Sequence, residues 1–189
     1  MKRLRAALVL GLVAFPPPGA GQTPSPTPPA PAVPAPTPAW KPFQELGFLL
    51  GSWSGTADSG GRVGGRVARF TLEMGGIYLV HRGNVFLAAE DGKPDESFDE
   101  VGYFSYDRER RRYVATYFFS TGVSGVYDVE FGADAAVRLV SRELQNYENG
   151  AKARLLLAKR SDTELSLSMD IAPPGRNFVP FVTSTLKKK

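Results

Sequence analysis

The chain of 189 residues contains no cysteine and a single histidine, His81. The first absence removes disulfides, Cys/His zinc sites, thiol redox chemistry, cysteine nucleophiles and the lipid anchor that bacterial lipoproteins attach to a cysteine. The second removes every multi-histidine metal site, and leaves a Ser-His-Asp triad dependent on His81 alone. A nucleophile motif such as Gly-x-Ser-x-Gly is lacking as well. No apolar run approaches the roughly 20 residues of a membrane-spanning helix. Charge of one sign is also scarce: the chain has 23 basic and 19 acidic residues, and three of the basic ones are Lys2, Arg3 and Arg5. The rest of the chain therefore carries 20 against 19, with Lys187, Lys188 and Lys189 at its end. That balance gives no basic field for nucleic acid.

What is present begins with Lys2, Arg3 and Arg5, an apolar stretch from Ala6 to Phe15, and a small-residue exit at Gly19-Ala20-Gly21. Residues 1–21 read as a secretory signal peptide, with a retained anchor as the alternative. Export to the periplasm or the extracellular space follows, with cleavage near Ala20 or Gly21 and no stable membrane insertion afterwards. Residues 22–39 are almost entirely Pro, Ala, Thr and Ser, a composition that cannot bury enough apolar surface to offset the entropy of ordering. They read as a linker, either a spacer or a disordered tail, reaching about 55 Å at about 3.1 Å per residue in polyproline II. Residues 40–189 remain as one domain, long enough to build a core without disulfides.

Within that domain an apolar helical turn, Leu46 to Leu50, runs into a Gly-x-Trp-x-Gly strand opening, Gly51 to Gly55. Strand patterns follow at 66–73, 77–87, 101–106, 113–121, 126–131, 136–144, 153–159, 163–171 and 178–186, with a polar loop expected over 90–100. Leu165, Leu167, Met169 and Ile171 alternate with Glu164, Ser166, Ser168 and Asp170, the pattern of a half-buried strand. The basic cluster Arg108 to Arg112 lies where two strands meet and reads as a solvated hairpin tip. Nine or ten strands without strand–helix–strand spacing predict an all-β fold. A closed antiparallel β-barrel of about ten strands removes exposed edges, and a two-sheet sandwich is the alternative.

Three stretches resemble those of the exported lipocalin-like (calycin) barrels: Leu49-Leu50-Gly51-Ser52-Trp53-Ser54-Gly55, Gly75-Gly76-Ile77-Tyr78-Leu79-Val80-His81-Arg82, and Val101-Gly102-Tyr103-Phe104-Ser105-Tyr106-Asp107. More distantly they resemble nitrobindin, a haem-binding barrel of the fatty-acid-binding-protein type. The resemblance spans most of 43–186 and implies a ten-stranded barrel with a cavity for a small apolar ligand or a cofactor, closed at one end by the Trp. It also implies an axial histidine in the last strand region, and 178–186 has none. Nor does that strand carry the arginine and tyrosine with which fatty-acid-binding proteins hold a carboxylate.

The candidate site residues follow from these patterns. Trp53, with Gly51 and Gly55 beside it, reads as a structural plug of the barrel end. His81 shares a side with Ile77, Leu79, Val85 and Leu87. It faces an apolar interior either as a satisfied core residue or as a ligand contact, and it is the one candidate for a haem axial position. Tyr103 and Tyr117 are aromatic contacts for a ligand. Arg142 and Arg154, with Arg138, come from neighbouring strands and are set to meet an anionic head group unless surface carboxylates pair them. Aromatics on both faces of 113–119 suit an inner side that lines a cavity and an outer side that meets a covering element or a second copy in a homodimer. The expected function is non-catalytic binding of a small apolar or amphipathic molecule, without haem or metal. A haem-dependent enzyme and an envelope interaction protein are the alternatives. N-terminal sequencing of the protein from its native host is expected to begin near Gly21 or Gln22. Recovery of Met1, or retention in the membrane through high-salt and alkaline washes, refutes export.

Overall fold

Residues with β-branched and aromatic side chains on alternating positions build ten strands in the computed structural model, which describes residues 43–90, 92–132 and 136–189. The expected leader and linker lie outside the described residues. The strands are β1 (Gly51–Ser59), β2 (Arg62–Glu73), β3 (Tyr78–Leu87), β4 (Glu96–Asp107), β5 (Arg112–Phe119), β6 (Ser124–Phe131), β7 (Ala136–Gln145), β8 (Lys152–Lys159), β9 (Glu164–Ala172) and β10 (Val179–Lys188). Each pairs antiparallel with the next, and β1 pairs with β10, so the sheet closes on itself. The all-β, ten-stranded barrel read from the sequence is the fold observed. Closure leaves no exposed edge and gives every strand one side facing a common interior. On β9 that side carries Leu165, Leu167 and Met169, all buried.

Two strands start well before the expected position. β4 starts at Glu96, within the segment read as a polar loop, and β2 starts at Arg62. Charged residues made 96–100 look like a loop, and Gly64 and Gly65 interrupted the strand pattern in 62–65. Yet Glu96 to Glu100 pair with Leu87 to Gly83 on β3, and the ladder extends through them because their outward side chains meet water. Two bulges adjust which way side chains point. The register slips between Pro180 and Val182, and the extra residue, Phe181, is turned to the barrel mouth, where its ring lies 6.2 Å from that of Phe98. A second slip opposite Val126 and Tyr127 falls at Arg142 on β7.

One end is closed by the residues that open the fold. Leu46 N–H donates to Phe43 O, and the 3-10 turn Gly47–Leu49 follows, held by Leu49 N–H to Leu46 O. The Trp53 indole Nε1–H donates to Leu49 O at 2.7 Å, which fastens this turn over the barrel end. Phe43, Leu46, Leu49 and Trp53 are all buried there. Gly51, at φ 124°, makes the bend that leads from the turn into β1. A Cβ on Gly55 would lie 2.0 Å from Thr185 O, so β1 and β10 approach there as closely as only glycine permits. Lys188 at the chain end places Nζ 5.3 Å from the Trp53 ring centre.

Trp53→Ala is expected to destabilise the domain by about 3–5 kcal/mol, the usual result of truncating a buried Trp. Trp53→Phe, which keeps an aromatic ring but loses the bond to Leu49, is expected to cost less. Urea titrations of both variants check this, and an unchanged midpoint in Trp53→Ala removes the plug assignment.

Candidate functional site

Polar side chains gather at mid-barrel, on the inner faces of β2 to β6. On β2 the inward positions are Arg66, Ala68 and Phe70; on β3, Leu79, His81, Gly83 and Val85; on β4, Phe98, Glu100, Gly102 and Phe104. Tyr117 on β5 and Tyr127 on β6 complete the set, and Arg66, His81, Glu100, Tyr117 and Tyr127 are all sealed from solvent. Register brings them together: Phe70 pairs with His81, His81 with Gly102, Gly102 with Tyr117, and Gly83 with Glu100.

Inward glycines make the room. A Cβ on Gly83 would sit 2.6 Å from Glu100 Oε1 and 3.0 Å from His81 Nε2. A Cβ on Gly102 would sit 2.4 Å from Tyr117 Cζ, so the Tyr117 ring lies across that glycine. This placement lets Tyr117 Oη reach His81 Nδ1 at 3.2 Å. The His81 ring stacks on Phe70 with centres 4.4 Å apart and planes within 8° of parallel.

Electrostatics then assign the protonation states. Arg66 Nη2 donates to Glu100 Oε1 in a buried ion pair, and Arg66 Nη1 lies 3.5 Å from Ser184 Oγ on β10. Burial alone would raise the Glu100 carboxyl, but the Arg66 charge and hydrogen bond, with His81, outweigh it and hold Glu100 below the usual carboxylate range. For His81 burial dominates: it pushes the imidazole down to about 4, against the attraction of Glu100 and with a smaller contribution from Arg66. The ring is therefore neutral at pH 7, and the 3.7 Å between His81 Nε2 and Glu100 Oε1 is not an ion pair. The neighbours of the neutral ring select its tautomer. Burial raises the Tyr117 phenol well above its usual value, so it keeps its proton and donates to Nδ1, while Nε2–H faces the Glu100 carboxylate. The opposite tautomer would aim a lone pair at that carboxylate. The cluster thus holds one compensated charge pair and a directed chain from Tyr117 through His81 toward Glu100.

Above this layer, at the end opposite Trp53, the barrel opens into a cavity of about 180 Å³. Its wall is largely apolar, formed by Phe98, Phe119, Val123, Leu144, Met169 and Phe181, with Glu96 at the rim. Arg62 ties that rim down, bonding Glu96 at 3.0 Å and Pro94 O at 2.9 Å. Glu100 is the next inward residue after Phe98 on β4 and pairs across with Phe119.

Not every candidate read from the sequence lies here. His81 and Tyr117 do. Tyr103 faces outward and is 38% exposed, because it alternates with Gly102 and Phe104, which turn inward. Arg142 and Arg154 also face outward, since Val137, Leu139 and Ser141 on β7 and Ala153, Leu155 and Leu157 on β8 take the inner positions. Arg142 pairs with Asp128 at 2.7 Å. Arg154 pairs with Asp170 and lies 4.5 Å from the Phe178 ring centre, and Arg138 approaches Glu130 at 3.9 Å. These arginines answer surface carboxylates and do not meet at an interior head group. The sequence reading missed Arg66 and Glu100. Arg66 is in phase with Ala68 and Phe70, and Glu100 with Phe98, Gly102 and Phe104, so extending each alternation by one step was the available signal.

No family model matches the chain, and no curated protein matches it. Among solved structures it is similar to Rv2717c from M. tuberculosis, with a TM-score of 0.54 at 16% identity over 78% of this chain and 97% of that one. At that identity the likeness shows the barrel fold alone.

His81 is the only histidine, so its titration can be isolated. Its folded pKa of about 4 lies below the ordinary 6.5, so between those values the unfolded chain binds a proton that the folded chain does not. Stability therefore rises with pH across this window and is fully present above it. Acidification from pH 7 to pH 5 is expected to cost about 2 kcal/mol, read by urea titration. His81→Phe, which keeps a ring against Phe70, is expected to flatten the curve over that range. An unchanged slope in the variant refutes a buried neutral His81.

Proposed function

We propose that this barrel binds a small, uncharged, largely apolar molecule in its mouth, without catalysis, as an exported ligand-binding protein of the lipocalin-like type. The observation that carries the reading is the apolar cavity of about 180 Å³ opposite the Trp53 plug. An engineered apolar cavity of about 150 Å³ takes benzene, so a mono- or bicyclic aromatic or a short branched hydrocarbon matches the space. Charge supports the same class. The buried cation beneath the mouth, Arg66, is already compensated by Glu100, so an anionic ligand would bring a second negative charge into a neutral interior. This differs from carriers whose free arginine receives a carboxylate.

The haem suggested by the resemblance to nitrobindin does not fit these residues. Phe70 covers one face of His81, and its two ring nitrogens face Tyr117 and Glu100. The last strand, Val179–Lys188, contains no histidine, cysteine, methionine or tyrosine. Met169 and Tyr147 line the mouth, but a cavity of about 180 Å³ does not admit a porphyrin.

Naphthalene is expected to bind one-to-one with a Kd on the order of 10 μM, within the free energy per atom open to a ligand of ten carbons. Naphthalene-2-carboxylate is expected to bind at least about tenfold more weakly, and Val123→Trp to abolish both by filling the mouth. Titration calorimetry reads all three. Haem added to the same protein is expected to give no sharp, saturable Soret band. A stoichiometric band lost in His81→Ala would replace this reading with a haem-based one, and wild-type protein that ignores naphthalene would remove it.

A further inference from the structure

Beneath the mouth, four buried polar atoms of one cluster have no hydrogen-bond partner among the described residues: Arg66 Nε, His81 Nε2, Glu100 Oε2 and Tyr127 Oη. The residues that carry them are at most 2% exposed. Buried polar groups are nearly always satisfied, so four unsatisfied atoms in one cluster call for a partner with polar atoms. Their position relates them to the cavity above. Glu100 follows Phe98 inward on β4 and pairs with Phe119, and both rings line the mouth. The Tyr127 ring and the mouth residue Leu144 crowd the same space over Gly125, where a Cβ would meet Leu144 Cδ2 at 2.9 Å and Tyr127 Cε2 at 3.2 Å.

The atoms also define what the chamber receives. Arg66 Nε–H and His81 Nε2–H only donate, ionised Glu100 Oε2 only accepts, and the Tyr127 hydroxyl does both. A head group seated among them has to accept one hydrogen bond and donate another. A carboxylate has no proton to give Glu100 and adds a negative charge beside it. An ammonium has no lone pair for the Arg66 Nε–H and adds a positive charge beside Arg66. A hydroxyl meets both requirements and adds no charge.

Resting on the mouth as the ligand site, we infer that the ligand is an alcohol or a phenol, whose apolar body fills the mouth and whose hydroxyl reaches past Phe98 and Phe119. There it donates to Glu100 Oε2 and accepts from Tyr127 Oη. Tyr127 is the specificity-determining residue, and its hydroxyl has no hydrogen-bond partner among the described residues, so Tyr127→Phe removes it without breaking a hydrogen bond there.

Calorimetry with 2-naphthol and 2-methylnaphthalene, which match in shape and differ in the hydroxyl, tests the inference in wild-type protein and in Tyr127→Phe. Wild type is expected to bind 2-naphthol at least tenfold more tightly than 2-methylnaphthalene. Tyr127→Phe is expected to reduce that preference to less than threefold while leaving 2-methylnaphthalene affinity and the urea midpoint unchanged. Equal affinity of wild type for the two probes overturns the hydroxyl chamber and leaves the apolar mouth standing. A preference that survives in Tyr127→Phe overturns the role of Tyr127. Failure of both probes to bind wild type overturns the mouth as a ligand site, and the chamber with it.

Discussion

Pairing of β1 with β10 gives ten strands a single inside, and the group in that inside with the strictest demands is the Arg66–Glu100 ion pair. Both side chains are sealed from water, so each depends on the other. Removing one partner of such a pair typically costs about 3–5 kcal/mol, because the remaining charge stays buried and uncompensated. The surrounding sequence is arranged around that demand. Gly83 leaves room for the Glu100 carboxylate, Ser184 stands by the guanidinium from the closing strand, and Val85 flanks Arg66 on the neighbouring strand.

The pair also divides the barrel along its axis. On one side lie the Trp53 plug and the buried Phe43, Leu46 and Leu49, fastened by the indole that donates to a turn carbonyl. On the other side lies an apolar mouth whose wall includes Phe181, brought there by a bulge in β10. Between them sits a polar layer with one compensated charge pair, a neutral histidine and two protonated tyrosines. Such a layer has little affinity for ions, and what it can recognise is a pattern of hydrogen bonds. Low local dielectric strengthens each of those bonds and makes a mismatched head group costly.

His81 shows how context overrides residue type. A lone histidine on an apolar strand face suggests a metal, a haem or a ligand carboxylate. Here Phe70 covers one face, Tyr117 holds Nδ1 and Nε2–H looks toward Glu100. The imidazole works as an uncharged connector that orients two neighbours. The arginines of β7 and β8 teach the converse. Arg142 and Arg154 looked like a convergent cation site because sequence distance hides the side of the sheet they occupy, and alternation with Leu139 and Leu155 sends them to Asp128 and Asp170 on the outside.

Local pattern by itself determined the all-β class and a count of about ten strands, because period-two alternation and turn residues are properties of neighbours along the chain. Only the tertiary structure decided which charges are buried. Arg66 and Glu100 stand 34 positions apart and are each unremarkable in a polar setting. Their pairing exists because the register of β2 against β3 and of β3 against β4 carries both to one height inside a closed barrel. The mouth was likewise illegible, since its wall is drawn from the ends of strands 85 residues apart in sequence, from Glu96 to Phe181, and one of them arrives only by a bulge. Closure and register are sums over many distant pairings, and no stretch of residues states them locally.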